Sequence, residues 1–183
     1  MAVLVEAISV VVRRDSIDRC FNGGWQGFIS CVPNATLCYD AELARVGFLN
    51  PDAVGKFLDT LKTGGLTFLR DDKCIDIAVV DQLQGPTRPC EWIECARIPF
   101  GNTGGKVSIC WLFDEPRVAA GIHLKSLQMK FVTPAGWVFE RSISDKSTFV
   151  PAEEVASRLK YLRTEKSGAD VFLDSSTGRE VFT

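Results

Sequence analysis

The sequence predicts an α+β fold, mainly antiparallel sheet with two principal helices at about residues 50–63 and 151–164. Three observations lead there. Short runs rich in Val, Ile and aromatic residues alternate with Gly, Pro, Asn and Asp clusters, the punctuation of strands joined by turns. Two segments carry apolar residues at helical spacing. Those segments also match each other at an offset of 101 positions, at Phe48/Phe149, Val54/Val155, Leu58/Leu159 and Leu61/Leu162, and Pro33/Pro134 share the offset. The chain thus reads as one compact domain, residues 1–183, with pseudo-repeated strand–helix–hairpin halves at 1–85 and 90–183. Helix-then-strand punctuation also recurs by chance, and the α+β reading stands without the duplication.

Residues 4–13 are dominated by Val and Ile and read as the first strand. Phe21-Asn22-Gly23-Gly24-Trp25 reads as a loop, because paired glycines break regular structure. Residues 27–32 and 36–48 read as strands around a Pro33-Asn34 turn. The first helix opens at Asn50, a good N-cap, with Pro51 at the position where a missing N–H costs nothing. Val54, Phe57, Leu58 and Leu61 form its apolar face, and Gly64-Gly65 ends it. Residues 66–70 and 74–81 suggest a hairpin turning at Asp71-Asp72, and residues 84–89 form a central Gly/Pro loop. Residues 90–98 and 107–113 read as strands, as do 124–132 and 137–143 around Thr133-Pro134-Ala135-Gly136. Thr148 and Glu153-Glu154 supply capping and negative charge at the start of the second helix. Residues 171–173 and 180–182 complete a last hairpin.

Bulk composition narrows the function classes. With 46% hydrophobic and 24% charged residues, the chain is ordinary for a soluble globular protein. A net charge of −2 and no basic stripe argue against nucleic-acid binding. Residues 1–12 lack the basic start and cleavage site of a signal peptide and are too short to span a membrane, so a cytoplasmic location is expected. Seven cysteines at irregular spacing, with no C-x-x-C, suggest free thiols.

Chemical motifs are sparse. One histidine, His123, leaves little for triads or histidine metal sites. Gly101 to Lys106 has three residues between Gly101 and Gly105 where a phosphate loop needs four, and a strand follows where a helix is required. Cys31 and Cys38 flank a turn but have no base nearby to activate them. Glu91 and Glu94 have opposite strand parity. No catalytic residue, cofactor or metal site is assigned.

The remaining signal is aromatic. Trp111 and Trp137 read as core residues, whereas Trp25 and Trp92 lie beside polar loops, where rigid aromatics serve recognition. If a ligand or partner site exists, it is expected where the central loop meets the Trp25 loop and the Pro33-Asn34 turn, with Trp25, Gln26, Asn34, Asp81, Gln82, Arg88 and Trp92. The expected function is therefore that of a bacterial-type, non-catalytic binding or interaction protein, regulatory or immunity-like. The alternatives are a small-molecule module or enzyme with a pocket between two α+β lobes, and a structural subunit of a homo-oligomer. Expected partners are a protein, a small polar ligand or a second copy in a homodimer, with no nucleic acid and no membrane.

Overall fold

The computed structural model describes residues 1–100, 105–113, 130–139, 152–164, 170–175 and 179–182. The fold is α+β with mostly antiparallel sheets. Its organising element is a bent strand pair at the N-terminus, β1 (Ala2–Val5) and β2 (Ile8–Arg13). Read as one strand from the sequence, this run divides at Glu6-Ala7, where Ala7 sits at φ 45°. That unfavourable backbone is held by Gln82. The Ala7 N–H donates to Gln82 Oε1 at 2.7 Å, and Ala7 C=O accepts from Gln82 N at 2.9 Å. The bend lets one run of chain serve two sheets.

β2 is the centre of a five-stranded antiparallel sheet, ordered β3 (Cys38–Tyr39), β4 (Leu43–Phe48), β2, β7 (Ile77–Asp81), β8 (Gly85–Pro86). β1 belongs to a four-stranded sheet, ordered β11 (Phe131–Val132), β1, β10 (Gly105–Leu112), β9 (Ile93–Phe100), in which only β1–β11 is parallel. Side-chain alternation sorts the layers. Val10, Val12, Val46, Ile77 and Val79 pack with Ile17, Phe28, Val54, Phe57 and Leu61 of the helices α1 (Arg14–Cys20), α2 (Gly24–Cys31) and α3 (Pro51–Thr63). The opposite face gives Val11, Leu43, Ala78 and Val80 to a second core shared with Val3, Val5, Val107, Ile109 and Trp111. The order of layers is helices, five-stranded sheet, four-stranded sheet.

α3 follows its sequence signals. Asn50 Oδ1 accepts from Ala53 N at 2.8 Å, Pro51 opens the helix, and Gly65 reverses the chain at φ 111° where an added Cβ would meet Cys20 O. Asp71 and Asp72 both have positive φ and form the tight turn between β5 (Leu69–Arg70) and β6 (Lys73–Cys74). β7, expected to belong to that hairpin, pairs instead with β2.

Three expectations are corrected. Residues 27–32 are not a strand. The Gly23-Gly24 break launches α2, on which Trp25 and Phe28 share a face at i and i+3, and Trp25 is helical and not a loop residue. The second helix stops early: α4 covers Ala152–Arg158, and Leu159–Thr164 is strand β12, paired with β13 (Asp170–Asp174), which pairs with β14 (Arg179–Phe182). Val155 and Leu162, the offset partners of Val54 and Leu61 on the first helix's apolar face, are exposed at 39% and 40%. At the 101-residue offset, Leu58 and Leu61 are helical while Leu159 and Leu162 are in a strand. Third, the thiols are not all free, because Cys95 and Cys110 are joined across the β9–β10 hairpin. They face each other directly in the ladder, with Cα atoms 4.2 Å apart, the close spacing of a non-hydrogen-bonded pair. Of the proposed strands 124–132 and 137–143, residues 131–132 form one, 137–139 do not, and 124–129 and 140–143 lie outside the described residues. His123 and Gly101 to Gly104 lie outside them too.

Candidate functional site

The junction of β2 and α1 presents two arginines in succession. Arg14 stacks its guanidinium 3.5 Å from the Trp25 ring centroid and 5.5 Å from that of Tyr39. Trp25 and Tyr39 meet edge to face at 4.8 Å, and Trp25 lies parallel to Phe28 at 5.4 Å, which ties the group to the helical core. Tyr39 keeps 48% of its surface in solvent. Each part has a local cause. α2 carries Trp25 outward on the face whose inner member is the fully buried Phe28. β3 holds Tyr39 with alternate parity to the buried Cys38. Arg13 reaches the other way, 5.9 Å from the Trp92 ring, while its guanidinium pairs with Asp15 at 2.9 Å. Adjacent arginines thus connect the two tryptophans singled out from the sequence. Cation–π contacts of this kind contribute about 0.5–1 kcal/mol where exposed, and more as water is excluded.

A separate cavity of about 140 Å³ lies where the β7–β8 turn faces the β9–β10 hairpin. Asp81, Gln82, Arg97 and Ser108 supply its polar lining, and Cys95 and Cys110 contribute their bridge. Asp81 Oδ1 accepts from Leu83 N at 2.7 Å and Gln84 N at 2.9 Å, which shapes the turn. Ser108 Oγ donates to the Gln82 carbonyl.

The structure places the seven expected residues as follows. Asp81 and Gln82 line this cavity together; Trp25 and Arg88 do not. Trp25 forms the platform, with Gln26 exposed beside it on α2. Asn34 is structural, with Nδ2 donating to Gly47 O at 2.9 Å and Oδ1 accepting from Thr36 N at 3.0 Å. Arg88 is exposed and lies 3.5 Å from Asp72. Trp92 donates through Nε1 to Cys74 O at 3.2 Å. Arg13, Arg14 and Tyr39, which complete the cluster around Trp25 and Trp92, were not among the expected residues, although Arg13-Arg14 is an adjacent basic pair in the sequence.

A buried polar network was missed as well. Arg45, 1% exposed, sits between the sheets and donates to Ser9 Oγ at 2.8 Å, Glu6 O at 3.2 Å and Thr36 O at 3.3 Å. Desolvation lowers its pKa, opposed by Cys38 and Glu6. Burial likewise raises the Cys38 thiol. Glu6 Oε1 accepts from Trp137 Nε1 at 3.0 Å, so the charge interrupting the first apolar run joins both ends of the described core. No metal-binding group of three His, Cys, Asp or Glu occurs among the described residues, and none of their helices is long and apolar enough to cross a membrane. No family model, curated protein or solved structure matches the chain.

Proposed function

We propose that this chain is a non-catalytic binding protein, regulatory or immunity-like, that recognises a protein partner through the Arg14–Trp25–Tyr39 platform, with Arg13 and Trp92 extending it. The observation that carries this reading is the stacked Arg14–Trp25 pair beside a half-exposed Tyr39. Trp, Tyr and Arg are the residue types that dominate binding energy at interfaces. Here they are already stacked, so little side-chain freedom remains to be lost on association.

The test places a photoactivatable phenylalanine analogue at Tyr39 and, as a control, at Tyr161, which is 53% exposed on β12. Illumination in the native extract should give a discrete protein adduct from position 39 and none from 161. Equal labelling from both positions, or none from 39, refutes the platform. An adduct with a second copy of this chain makes the interface that of a homo-oligomer.

A second reading uses the cavity. Asp81, Gln82, Arg97 and Ser108 converge there, a set suited to a small polar ligand. Its volume lies below the roughly 300–1,000 Å³ of drug-sized sites, so the ligand would have few heavy atoms. The cytoplasmic location belongs to the proposal too. The Cys95–Cys110 bond weighs against it, because cytosolic thiol systems keep most cysteines reduced. Trapping thiols by alkylation at the moment of lysis tests the point: both cysteines alkylated supports the cytoplasm, and neither alkylated counts against it.

A further inference from the structure

A second pair of cysteines lies apart from the hairpin bridge. The end of β6 lies against the segment that leads into β9. The Cys74 N–H donates to Pro89 O at 2.9 Å, and Lys73 Nζ meets Glu91 Oε1 at 2.5 Å. Cys90 follows Pro89 directly, and its thiol lies beside that of Cys74, close enough for each to shift the pKa of the other. The Trp92 indole closes over the same place by donating to Cys74 O at 3.2 Å. We propose that Cys74 and Cys90 are a redox-active dithiol that closes to a second intramolecular disulfide under peroxide, clamping the β5–β6 hairpin to the approach of β9.

The pair divides its roles. The neighbouring Cys90 thiol lowers the Cys74 pKa, opposed by burial and by Asp72, with the smallest contribution a lowering from Arg88. The Cys74 thiol, with burial, raises Cys90. The two thiols thus titrate as one coupled pair, with the lowering directed to Cys74, the attacking sulfur in this scheme. Its thiolate attacks an oxygen of hydrogen peroxide; the S–O bond forms as the O–O bond breaks, and hydroxide leaves. Cys74 is then a sulfenic acid, oxidised by two electrons. The Cys90 sulfur attacks Cys74 Sγ, the S–S bond forms as S–O breaks, and the Cys90 proton leaves with the departing oxygen as water. Two thiols and one peroxide become one disulfide and two waters. Cys74 is only 5% exposed, which favours a small oxidant over a bulky disulfide, while Cys90 is half-buried.

The test uses the full chain, with the β9–β10 bridge intact. After peroxide treatment and alkylation, it is digested without reduction by proteases cleaving at aspartate and glutamate. Asp76 and Asp81 separate Cys74 from Cys90, and Glu91 and Glu94 separate Cys90 from Cys95. The expected result is a linked Cys74–Cys90 peptide, with alkylatable thiols falling from five to three and exposed Cys20 still free. Recovery of Cys74 and Cys90 as alkylated thiols at doses that oxidise Cys20, or their pairing with other cysteines, overturns the proposal. In Cys90→Ser, dimedone should label Cys74; an unlabelled Cys74 in a folded variant refutes its role as the attacking sulfur. Should that variant not fold, the wild-type peptide map decides alone.

Discussion

Arg45 shows how much one residue can specify between two packed sheets. A guanidinium there has lost its water, and three acceptors from three segments replace it: Ser9 Oγ, Glu6 O and Thr36 O. Removing it leaves those acceptors buried and a side-chain-sized gap beside them. Arg45→Ala should therefore destabilise the protein by about 3–5 kcal/mol, read from the urea midpoint. Arg45→Lys should recover only part of this, since an ammonium cannot reproduce the planar fork. A loss below about 1 kcal/mol for the alanine variant would show that the network contributes little beyond a surface interaction. On α3, Leu61 is fully buried and Leu58 is not. Leu61→Ala should cost about 2–5 kcal/mol and Leu58→Ala distinctly less, although helical spacing places both on the same apolar face.

At the scale of elements, the β9–β10 hairpin is the best tied. Its strands pair from Ile93/Leu112 to Phe100/Gly105, and Cys95–Cys110 crosses the middle of the ladder. The bridged cysteines are 15 residues apart, and closing a loop of that size limits the unfolded chain by about 3 kcal/mol. The double variant Cys95→Ala/Cys110→Ala should lose up to that amount in chemical denaturation. Titration of the unreduced, denatured chain should find five thiols of the seven cysteines. Seven would mean that the bridge does not form. α4 and β12 show why helical spacing misled over residues 151–164. Val155, Leu159 and Leu162 sit at i, i+4 and i+7, but Arg158 forms a two-point ion pair with the buried Asp174, at 2.9 Å for each contact. The chain continues as a strand beside β13, and Tyr161 packs edge to face on Phe172 at 5.7 Å. Five residue pairs along the six-residue strand prevail over a short apolar stripe.

At the scale of the molecule, stability should follow depth in the layers. β2 lies between the helices and the four-stranded sheet, with Val10, Val11 and Val12 fully buried. Its amides should be among the slowest to exchange with deuterium, and those of β12, whose side chains are mostly exposed, should exchange faster. The reverse order would contradict the arrangement of layers. The surface carries two separate features, the aromatic platform over the helices and the cavity beside the disulfide, so the photo-crosslinking and ligand-binding readings can succeed or fail independently.

Local chemistry was enough for several strands and turns and for the first helix, but not for residues 27–32, which are mostly helix, or 137–139, which form no strand. Val/Ile runs, the Asn50-Pro51 start, the Gly64-Gly65 stop and the Asp71-Asp72 turn each act over a few residues, so their causes are visible in a few residues. Trp25 and Trp92 were also legible as unusual, because a tryptophan beside polar turns stands out in composition alone. Only the tertiary structure decided what they touch. Arg13 and Arg14 join them because β2 ends between α2 and the segment before β9, a relation between positions far apart in sequence. The bend at Ala7 depends on Gln82, the hairpin disulfide on its register, the Cys74–Cys90 contact on the pairing of 74 with 89, and the end of α4 on Asp174. Each of these outcomes rests on a partner brought close by folding, and linear spacing carries no record of which partner that is.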